Sequence, residues 1–258
     1  MTNETPKCPI CESPCAYLDS VDFNKNCTGS NGHPRGVDVA YYLCANCRFC
    51  FAPMFQQWDK RAFIERIYNA EYVDFDPEYI SARPLRNAKN LLDIFESYDM
   101  TGIEHLDFGS GNGLLSQTLE AAGWDSSSFD PLIDVRMPHK TFNLITAFEV
   151  FEHVPDVHTL MRSLTTLLHP DGAILFTTAV HNASEVEHGV PLTWWYASPR
   201  NGHISLFSTE SLRLLALANG FEFIRFSERY YALSRLKKPV WLHGKRELKD
   251  QNLLKAGK

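Results

Sequence analysis

Residues 105–115, with the sequence HLDFGSGNGLL, decide the fold of this chain. A short apolar segment at 103–108 runs directly into three glycines at alternate positions, and an amphipathic helical pattern begins at Leu114. Glycines in such a turn let the backbone adopt positive φ and bring its N–H groups close to a ligand at the start of the helix. The stretch therefore predicts a strand, a tight turn and a helix that form a ligand-binding corner of an α/β fold.

The size and charge of the chain restrict its partners. With 258 residues it can bury a full α/β core and still carry a small appendage. The net charge of -6 provides no basic field, so nucleic acid is an unlikely partner. No apolar run approaches about 18 residues, and the first residues lack the pattern of a signal peptide. We expect a cytoplasmic protein without a membrane segment.

The cysteines predict a metal-binding module at residues 1–57. All seven lie in the first fifty residues, and four of them form two C-x-x-C pairs separated by 32 residues. Four thiolates complete one tetrahedral zinc site and leave no open position, so we expect a structural zinc. The predicted ligands are Cys8, Cys11, Cys44 and Cys47. Of the surplus cysteines Cys15, Cys27 and Cys50, the first or the last could replace one ligand.

An acidic residue follows the glycine turn. The segment 126–130 reads as a strand that ends at Asp130, which lies 17 residues beyond Gly113. In dinucleotide-binding folds a carboxylate near this distance accepts hydrogen bonds from ribose hydroxyls. The alternative is a simple Asp-Pro turn. Only eleven residues separate Asp130 from the next apolar segment at 142–148, which is too few for a further helix and strand.

Asp107 and the three glycines form the pattern D-x-G-x-G-x-G, which resembles motif I of the class I S-adenosylmethionine-dependent methyltransferases. The segment 149–153, E-x-x-E-H, resembles the one after the fourth strand in ubiquinone-pathway O-methyltransferases. A histidine before the sequence FSTESL at 207–212 is similar to one in those enzymes and in sugar C-methyltransferases with zinc-binding N-termini. The resemblance covers residues 80–235, and Leu114 in place of a third fingerprint glycine disfavours a dehydrogenase.

This resemblance implies a doubly wound, mostly parallel, Rossmann-like sheet of the seven-stranded type with a shortened third-strand region. The expected domains are the zinc-ribbon-like module at 1–57, the methyltransferase domain at 58–235 and a basic tail at 236–258. The implied activity is methyl transfer from S-adenosylmethionine to oxygen or carbon of a small molecule. The implied cofactor ligands are Asp107, Gly109, Gly111, Asn112, Gly113, Asp130 and Glu149. The alternatives are a zinc-module scaffold on a degenerate methyltransferase fold and an RNA-modifying methyltransferase.

Histidines provide the expected catalytic groups. His153 and His203 are candidates for the base that removes the acceptor proton, and Tyr196 for a phenol that orients the acceptor. Glu149, Glu152 and His153 would share one face of a helix. The resemblance implies that they bind Mg²⁺ or Mn²⁺ together with His203. In the alternative, Glu149 contacts the cofactor side, Glu152 is solvated and His153 acts as a base or packs.

Two flanking regions complete the interpretation. Residues 181–207, rich in aromatic side chains and histidine, are expected to form a substrate lid beyond the fifth strand. Ser208 is expected to cap the helix that follows. Tyr68, Tyr72 and Tyr79 in the preceding helical region are interpreted as packing residues, with a position at a ligand mouth as the alternative.

Overall fold

The computed structural model describes residues 5–29, 35–227 and 229–235, and the predicted basic tail at 236–258 lies outside these ranges. The strands are β1 (Cys15–Asp22), β2 (Asp38–Cys44), β3 (Cys50–Phe51), β4 (Glu104–Phe108), β5 (Asp125–Phe129), β6 (Phe142–Phe148), β7 (Leu168–Thr177), β8 (Ser205–Leu206), β9 (Glu222–Arg225) and β10 (Tyr230–Ser234). The α-helices are α1 (Lys60–Arg66), α2 (Tyr72–Phe75), α3 (Ala82–Phe95), α4 (Leu114–Ala121), α5 (Val157–Leu167) and α6 (Thr209–Ala218). Short 3-10 helices span Pro53–Gln57, Phe151–His153 and Pro199–Asn201.

The chain folds into two compact units, and neither is a continuous segment. Of the described residues, the first unit comprises 5–29, 35–79, 148–163 and 177–220, and the second comprises 80–147, 164–176, 221–227 and 229–235. Residues 58–79 thus belong to the same unit as the cysteine pairs, so this division does not coincide with the predicted boundary at residue 57. No helix in the described ranges is long and apolar enough to cross a membrane.

The second unit contains a six-stranded sheet in the order β5-β4-β6-β7-β10-β9. Strand β4 pairs in parallel with both β5 and β6, which is the arrangement that strand–helix crossovers produce. Strands β9 and β10 pair antiparallel at the far edge. The mostly parallel sheet confirms the predicted fold class.

The shortened third-strand region is visible at the opposite edge of this sheet. Residues 130–141 form turns and bends, with no helix or strand between β5 and β6. Strand β5 is therefore the last strand on its side of the sheet in the described part of the chain. Its polar sequence, Asp125-Ser126-Ser127-Ser128, suits an edge that no further strand covers.

The first unit contains a four-stranded sheet in the order β1-β2-β3-β8. Strand β3 pairs antiparallel with β8, with Cys50 opposite Leu206 and Phe51 opposite Ser205. The buried rings of Phe49 and Phe207 lie 5.0 Å apart beside this pairing. A segment from the late part of the chain therefore completes the N-terminal sheet.

The helix after β8 begins as predicted. The Ser208 hydroxyl accepts a hydrogen bond from the backbone N–H of Ser211, and the Ser211 hydroxyl bonds the backbone N–H of Ser208. This capping box satisfies two N–H groups that the first turn of α6 would otherwise leave without partners. Because the Ser208 hydroxyl also donates to the Cys47 carbonyl oxygen at 2.6 Å, the start of α6 is fixed to the second cysteine pair.

Candidate active site

The glycine turn connects β4 to α4 in the second unit. Gly109, Gly111 and Gly113 have φ of 76°, 53° and 75°, values that residues with a side chain rarely adopt. The Gly109 N–H donates to the Phe129 carbonyl oxygen at 2.8 Å, which ties the turn to the end of β5. The predicted strand, turn and helix are confirmed at the predicted residues.

The surroundings of Gly111 and Gly113 differ. A Cβ at Gly113 would lie 3.3 Å from Ser128 Oγ, so this position is crowded by β5. A Cβ at Gly111 would meet no atom of the described residues within 4 Å. The turn therefore packs against the sheet at Gly113 and leaves room for a ligand at Gly111.

Asp107 is a buried carboxylate at the end of β4, with 4% of its surface exposed. The Thr146 hydroxyl donates to Asp107 Oδ1 at 3.2 Å. The pKa of Asp107 is raised to about 7, chiefly because of burial; the Thr146 hydrogen bond lowers it, and the charge of Asp130 raises it, within that net value. An ionised Asp107 would gain from a cationic ligand.

Asp130 and Asn112 shape the same corner. Asp130 Oδ2 accepts from the Gly111 N–H at 2.8 Å, and its Oδ1 accepts from the Leu132 N–H at 2.7 Å. The Asn112 side-chain amide donates to the Ile80 carbonyl oxygen at 2.8 Å. Asp130 thus supports the turn and keeps acceptor capacity, because each carboxylate oxygen has a second lone pair.

A second candidate region, in the first unit, is a cluster of Glu152, His153 and His203. One ligand atom from each residue lies within 4.8 Å of the others. His153 Nε2 is 3.8 Å from Glu152 Oε1, and the two imidazole rings are 4.9 Å apart. Three donors at these separations could surround a cation or share protons with a bound acceptor.

Glu152 is fully buried in this cluster. Its Oε1 accepts a short hydrogen bond from the Tyr196 hydroxyl, and within the described ranges Oε2 has no hydrogen-bond partner. Burial raises the pKa of Glu152 well above its usual range, and the charge of Glu149 adds to this effect. A carboxylate in such a place carries a charge at low cost only with a cation beside it.

The orientation of His203 is set by its backbone neighbours. Its Nδ1 lies 3.0 Å from the Tyr196 carbonyl oxygen, which accepts a hydrogen bond and so places the proton of the neutral ring on Nδ1. Nε2 is then free of hydrogen and can accept a proton or bind a metal. The Tyr41 hydroxyl donates to the His203 carbonyl oxygen at 2.7 Å and fixes the backbone as well.

Glu149 does not share a helical face with Glu152 and His153, and this expectation is wrong. The helix is a single 3-10 turn that begins at Phe151, and Glu149 precedes it with a left-handed φ of 54°. Its carboxylate accepts from the Thr177 hydroxyl at 3.1 Å, and its N–H donates to the same hydroxyl oxygen at 3.0 Å. Glu149 therefore lies outside the three-residue cluster.

The four predicted zinc ligands converge in the first unit. The sulfur atoms of Cys8 and Cys47 are 3.6 Å apart, those of Cys11 and Cys44 are 3.4 Å apart, and all four lie within 4.8 Å of one another. A tetrahedron with metal–sulfur bonds of about 2.3 Å has edges of about 3.8 Å, so the thiols have the spacing of a zinc site. The surplus cysteines are not part of this group.

Backbone geometry supports each cysteine pair. The Ile10 and Cys47 N–H groups each donate to a cysteine sulfur at 3.4 Å, to Cys8 and Cys44 respectively. The residue after each pair, Glu12 or Arg48, adopts a left-handed φ of 59° or 58°. In both pairs, therefore, a backbone N–H is directed toward the sulfur of the first cysteine, and a left-handed residue follows the second.

The predicted lid segment at 181–207 is held by the N-terminal residues of its own unit. Lys25 Nζ donates to the carbonyl oxygens of Trp194 and Ala197 at 2.7 and 2.6 Å. The Leu192 N–H donates to Asp19 Oδ2 at 2.7 Å. Most of residues 192–207 are buried, so this part of the segment is packed into the unit.

Sequence reasoning missed several neighbours of these groups. Cys27 Sγ lies 3.5 Å from His203 Nδ1, and burial raises the pKa of its thiol to about 11. The Tyr68 ring, which the sequence indicated as a packing residue or one at a ligand mouth, lies 6.1 Å from His153. Thr146, which contacts Asp107, is buried in β6. The sequence signal for Thr146 was its position as a polar residue inside an apolar strand, since a buried hydroxyl needs a hydrogen-bond partner.

Comparisons with known proteins agree with the predicted motifs. A family model described as a methyltransferase domain matches residues 79–225. The mitochondrial ubiquinone biosynthesis O-methyltransferase of Bos taurus is 27% identical, covering 47% of this chain and 42% of the relative. A ubiquinone biosynthesis O-methyltransferase of Coxiella burnetii (strain Dugway 5J108-111) is 29% identical, covering 38% of this chain and 53% of the relative. The chain thus spans about half the length of these curated relatives.

Among solved structures, magnesium protoporphyrin IX methyltransferase from Synechocystis PCC 6803 with bound SAH aligns with a TM-score of 0.44 and 13% identity. The alignment covers 71% of this chain and 98% of that chain.

Gly202 generates a prediction about the histidine cluster. It has φ of 86°, and a Cβ there would lie 2.9 Å from both His153 Nδ1 and the Tyr68 hydroxyl oxygen. Gly202→Ala should lower the free energy of unfolding by about 1 kcal/mol for the left-handed backbone, plus about 1–3 kcal/mol for crowding. Denaturant unfolding measures the change.

Gly189→Ala is the matched control, because Gly189 has φ of 81° and an added Cβ there would meet no atom of the described part of the chain within 4 Å. The control should show only the backbone cost. Equal losses in the two variants would contradict the close approach of His153 and Tyr68 to Gly202.

Proposed function

Because the chain belongs to the methyltransferase domain family, we propose that it transfers a methyl group from S-adenosylmethionine to an oxygen of a small-molecule acceptor. The single observation that carries the proposal is the β4–α4 corner, where Asp107 and Asp130 flank three glycines of positive φ. The O-methyltransferase relatives support oxygen as the acceptor atom.

The residues of this corner fit the proposed cofactor by their chemistry. Asp107 would accept hydrogen bonds from the ammonium group, and Asp130 would accept them from the ribose hydroxyls. The open space beside Gly111 would receive the ligand, and the backbone N–H groups at the start of α4 would line it. S-adenosylmethionine supplies a methyl group on a sulfonium, which makes the methyl electrophilic. The protein is then left to align the acceptor and remove its proton.

For the acceptor side, we infer that Glu152, His153 and His203 hold a divalent cation such as Mg²⁺ or Mn²⁺. The buried Glu152 oxygen without a hydrogen-bond partner in the described ranges, and the convergence of one ligand atom from each of the three residues within 4.8 Å, support this inference. A bound cation would lower the pKa of an acceptor hydroxyl. The Tyr196 hydroxyl, bonded to Glu152, would hold that carboxylate in place. His153 and His203 acting as metal-free acid–base groups is the alternative.

We further propose that Cys8, Cys11, Cys44 and Cys47 bind one structural zinc, as their mutual spacing supports. Zinc would stabilise the N-terminal sheet by joining the two cysteine pairs. Zinc-binding thiols require a reducing compartment, so the cytoplasm remains the expected location.

Cofactor binding is the first test of this function. Calorimetry with S-adenosylhomocysteine should show micromolar-scale affinity, about 8 kcal/mol. Gly111→Val should weaken binding at least tenfold, because the side chain enters the ligand space. Gly102→Val is the control, since Gly102 also has positive φ and open surroundings but lies before β4. No binding to the wild-type protein at millimolar ligand would contradict the proposal and favour a scaffold.

Cation binding is tested with Mn²⁺ on zinc-loaded protein, followed by electron paramagnetic resonance. Glu152→Gln should weaken Mn²⁺ binding more than tenfold, because it removes a charged ligand at nearly constant volume. Glu149→Gln, outside the cluster, should change it only a few-fold. Activity, once an acceptor is known, should be lost in EDTA and restored by Mg²⁺ or Mn²⁺. Full activity in chelator with zinc retained would assign metal-free roles to His153 and His203.

Metal analysis tests the zinc site. The wild-type protein should contain close to one equivalent of zinc. Cys44→Ser should lose it together with protease resistance of the N-terminal residues. Cys50→Ser, a buried cysteine outside the cluster, should keep the metal. A metal-free protein with an intact N-terminal sheet would refute a structural zinc.

A further inference from the structure

Four polar side chains form a continuous hydrogen-bonded chain across strands β5, β4 and β6. Ser126 Oγ lies 2.7 Å from His105 Nδ1, and His105 Nε2 lies 3.0 Å from Thr146 Oγ1. Thr146 Oγ1 lies 3.2 Å from Asp107 Oδ1. His105 and Thr146 are completely buried. The chain therefore connects the edge of the sheet to the carboxylate beside the glycine turn.

The charge on Asp107 fixes the direction of every bond in this chain. An ionised carboxylate only accepts hydrogen bonds, so Thr146 must donate to it. Thr146 Oγ1 then accepts from His105 Nε2–H. A neutral imidazole has one N–H, so Nδ1 must accept from the Ser126 hydroxyl. Burial lowers the pKa of His105 to about 3, which keeps the ring neutral.

A protonated Asp107 would reverse the chain. The carboxyl O–H would donate to Thr146, the Thr146 hydroxyl to His105 Nε2, and His105 Nδ1–H to Ser126. Thr146 also has the Leu106 carbonyl oxygen as a competing acceptor at 3.5 Å. When His105 Nε2–H donates to Thr146 Oγ1, it favours the Thr146 rotamer whose hydroxyl donates to Asp107 over the one that donates to Leu106.

We propose that His105 and Thr146 are positioning residues that orient the Asp107 carboxylate toward the ammonium group of the cofactor, and that the tautomer of His105 follows the charge on Asp107. This inference rests on the proposed function, because it takes Asp107 as a ligand of S-adenosylmethionine. Neither residue would touch the cofactor itself.

The chain makes cofactor affinity depend on pH in a defined direction. Asp107, with a pKa of about 7, binds a cation only when ionised, so affinity is complete above that pH. It falls about tenfold per pH unit below. Asp130 faces Asp107 as a second anion, β6 carries no ionisable side chain, and Glu120 of α4 is exposed. Loss of the Thr146 hydroxyl would raise the pKa of Asp107 and move the decline to higher pH.

The first experiment measures S-adenosylhomocysteine binding by calorimetry from about pH 5.5 to about pH 8.5. Thr146→Val should weaken binding at least tenfold near pH 6.5 and by less than about threefold at pH 8.5. Thr146→Ser, which keeps the hydroxyl, should follow the wild type. An equal loss at every pH would show a merely structural role and overturn the inference, as would an unchanged profile.

The second experiment reads the His105 tautomer by ¹⁵N-resolved NMR of the full chain. The proton should be on Nε2 in the S-adenosylhomocysteine complex, and on Nδ1 in the ligand-free protein near pH 5.5. A tautomer that stays the same in both states overturns the coupling. If the wild-type protein fails to bind the ligand while the tautomer still follows pH, the proposed function fails and the internal chain remains.

Discussion

The cost of burying a carboxylate governs both candidate regions. Asp107 and Glu152 are each almost fully withdrawn from water, and an ionised carboxylate there is stable only with donors or a cation beside it. In the second unit the Thr146 hydroxyl, itself bonded to His105, donates to Asp107. In the first unit the Tyr196 hydroxyl donates to one oxygen of Glu152, and the other oxygen has no hydrogen-bond partner among the described residues. Both carboxylates are thus prepared for a positively charged partner.

Local features of the sequence were sufficient to predict the strand, turn and helix around residues 105–115. The glycines, the apolar strand and the helical pattern all act within a few residues of one another, and so does the capping box at Ser208. The two cysteine pairs were equally informative about the first unit, because their four thiols converge as the sequence predicts.

Contacts between distant segments could not be predicted in this way. The left-handed backbone at Glu149 results from hydrogen bonds with Thr177, and nothing in the sequence around 149 specifies it. The pairing of His105 with Thr146 depends on the register of β4 and β6, in which His105 lies opposite Leu144. The attachment of residues 192–197 to Lys25 and Asp19 likewise joins segments with no shared pattern.

The pairing of β3 with β8 has a kinetic consequence. The two strands lie about 150 residues apart in sequence, so their contact is among the most non-local in the fold and forms late. Each cysteine pair, by contrast, closes a loop of a few residues and can take its conformation early. During synthesis β3 therefore remains an unpaired edge until residue 206 has left the ribosome. Because β3 has two residues, its exposed edge offers few backbone groups for pairing with other nascent chains during that time.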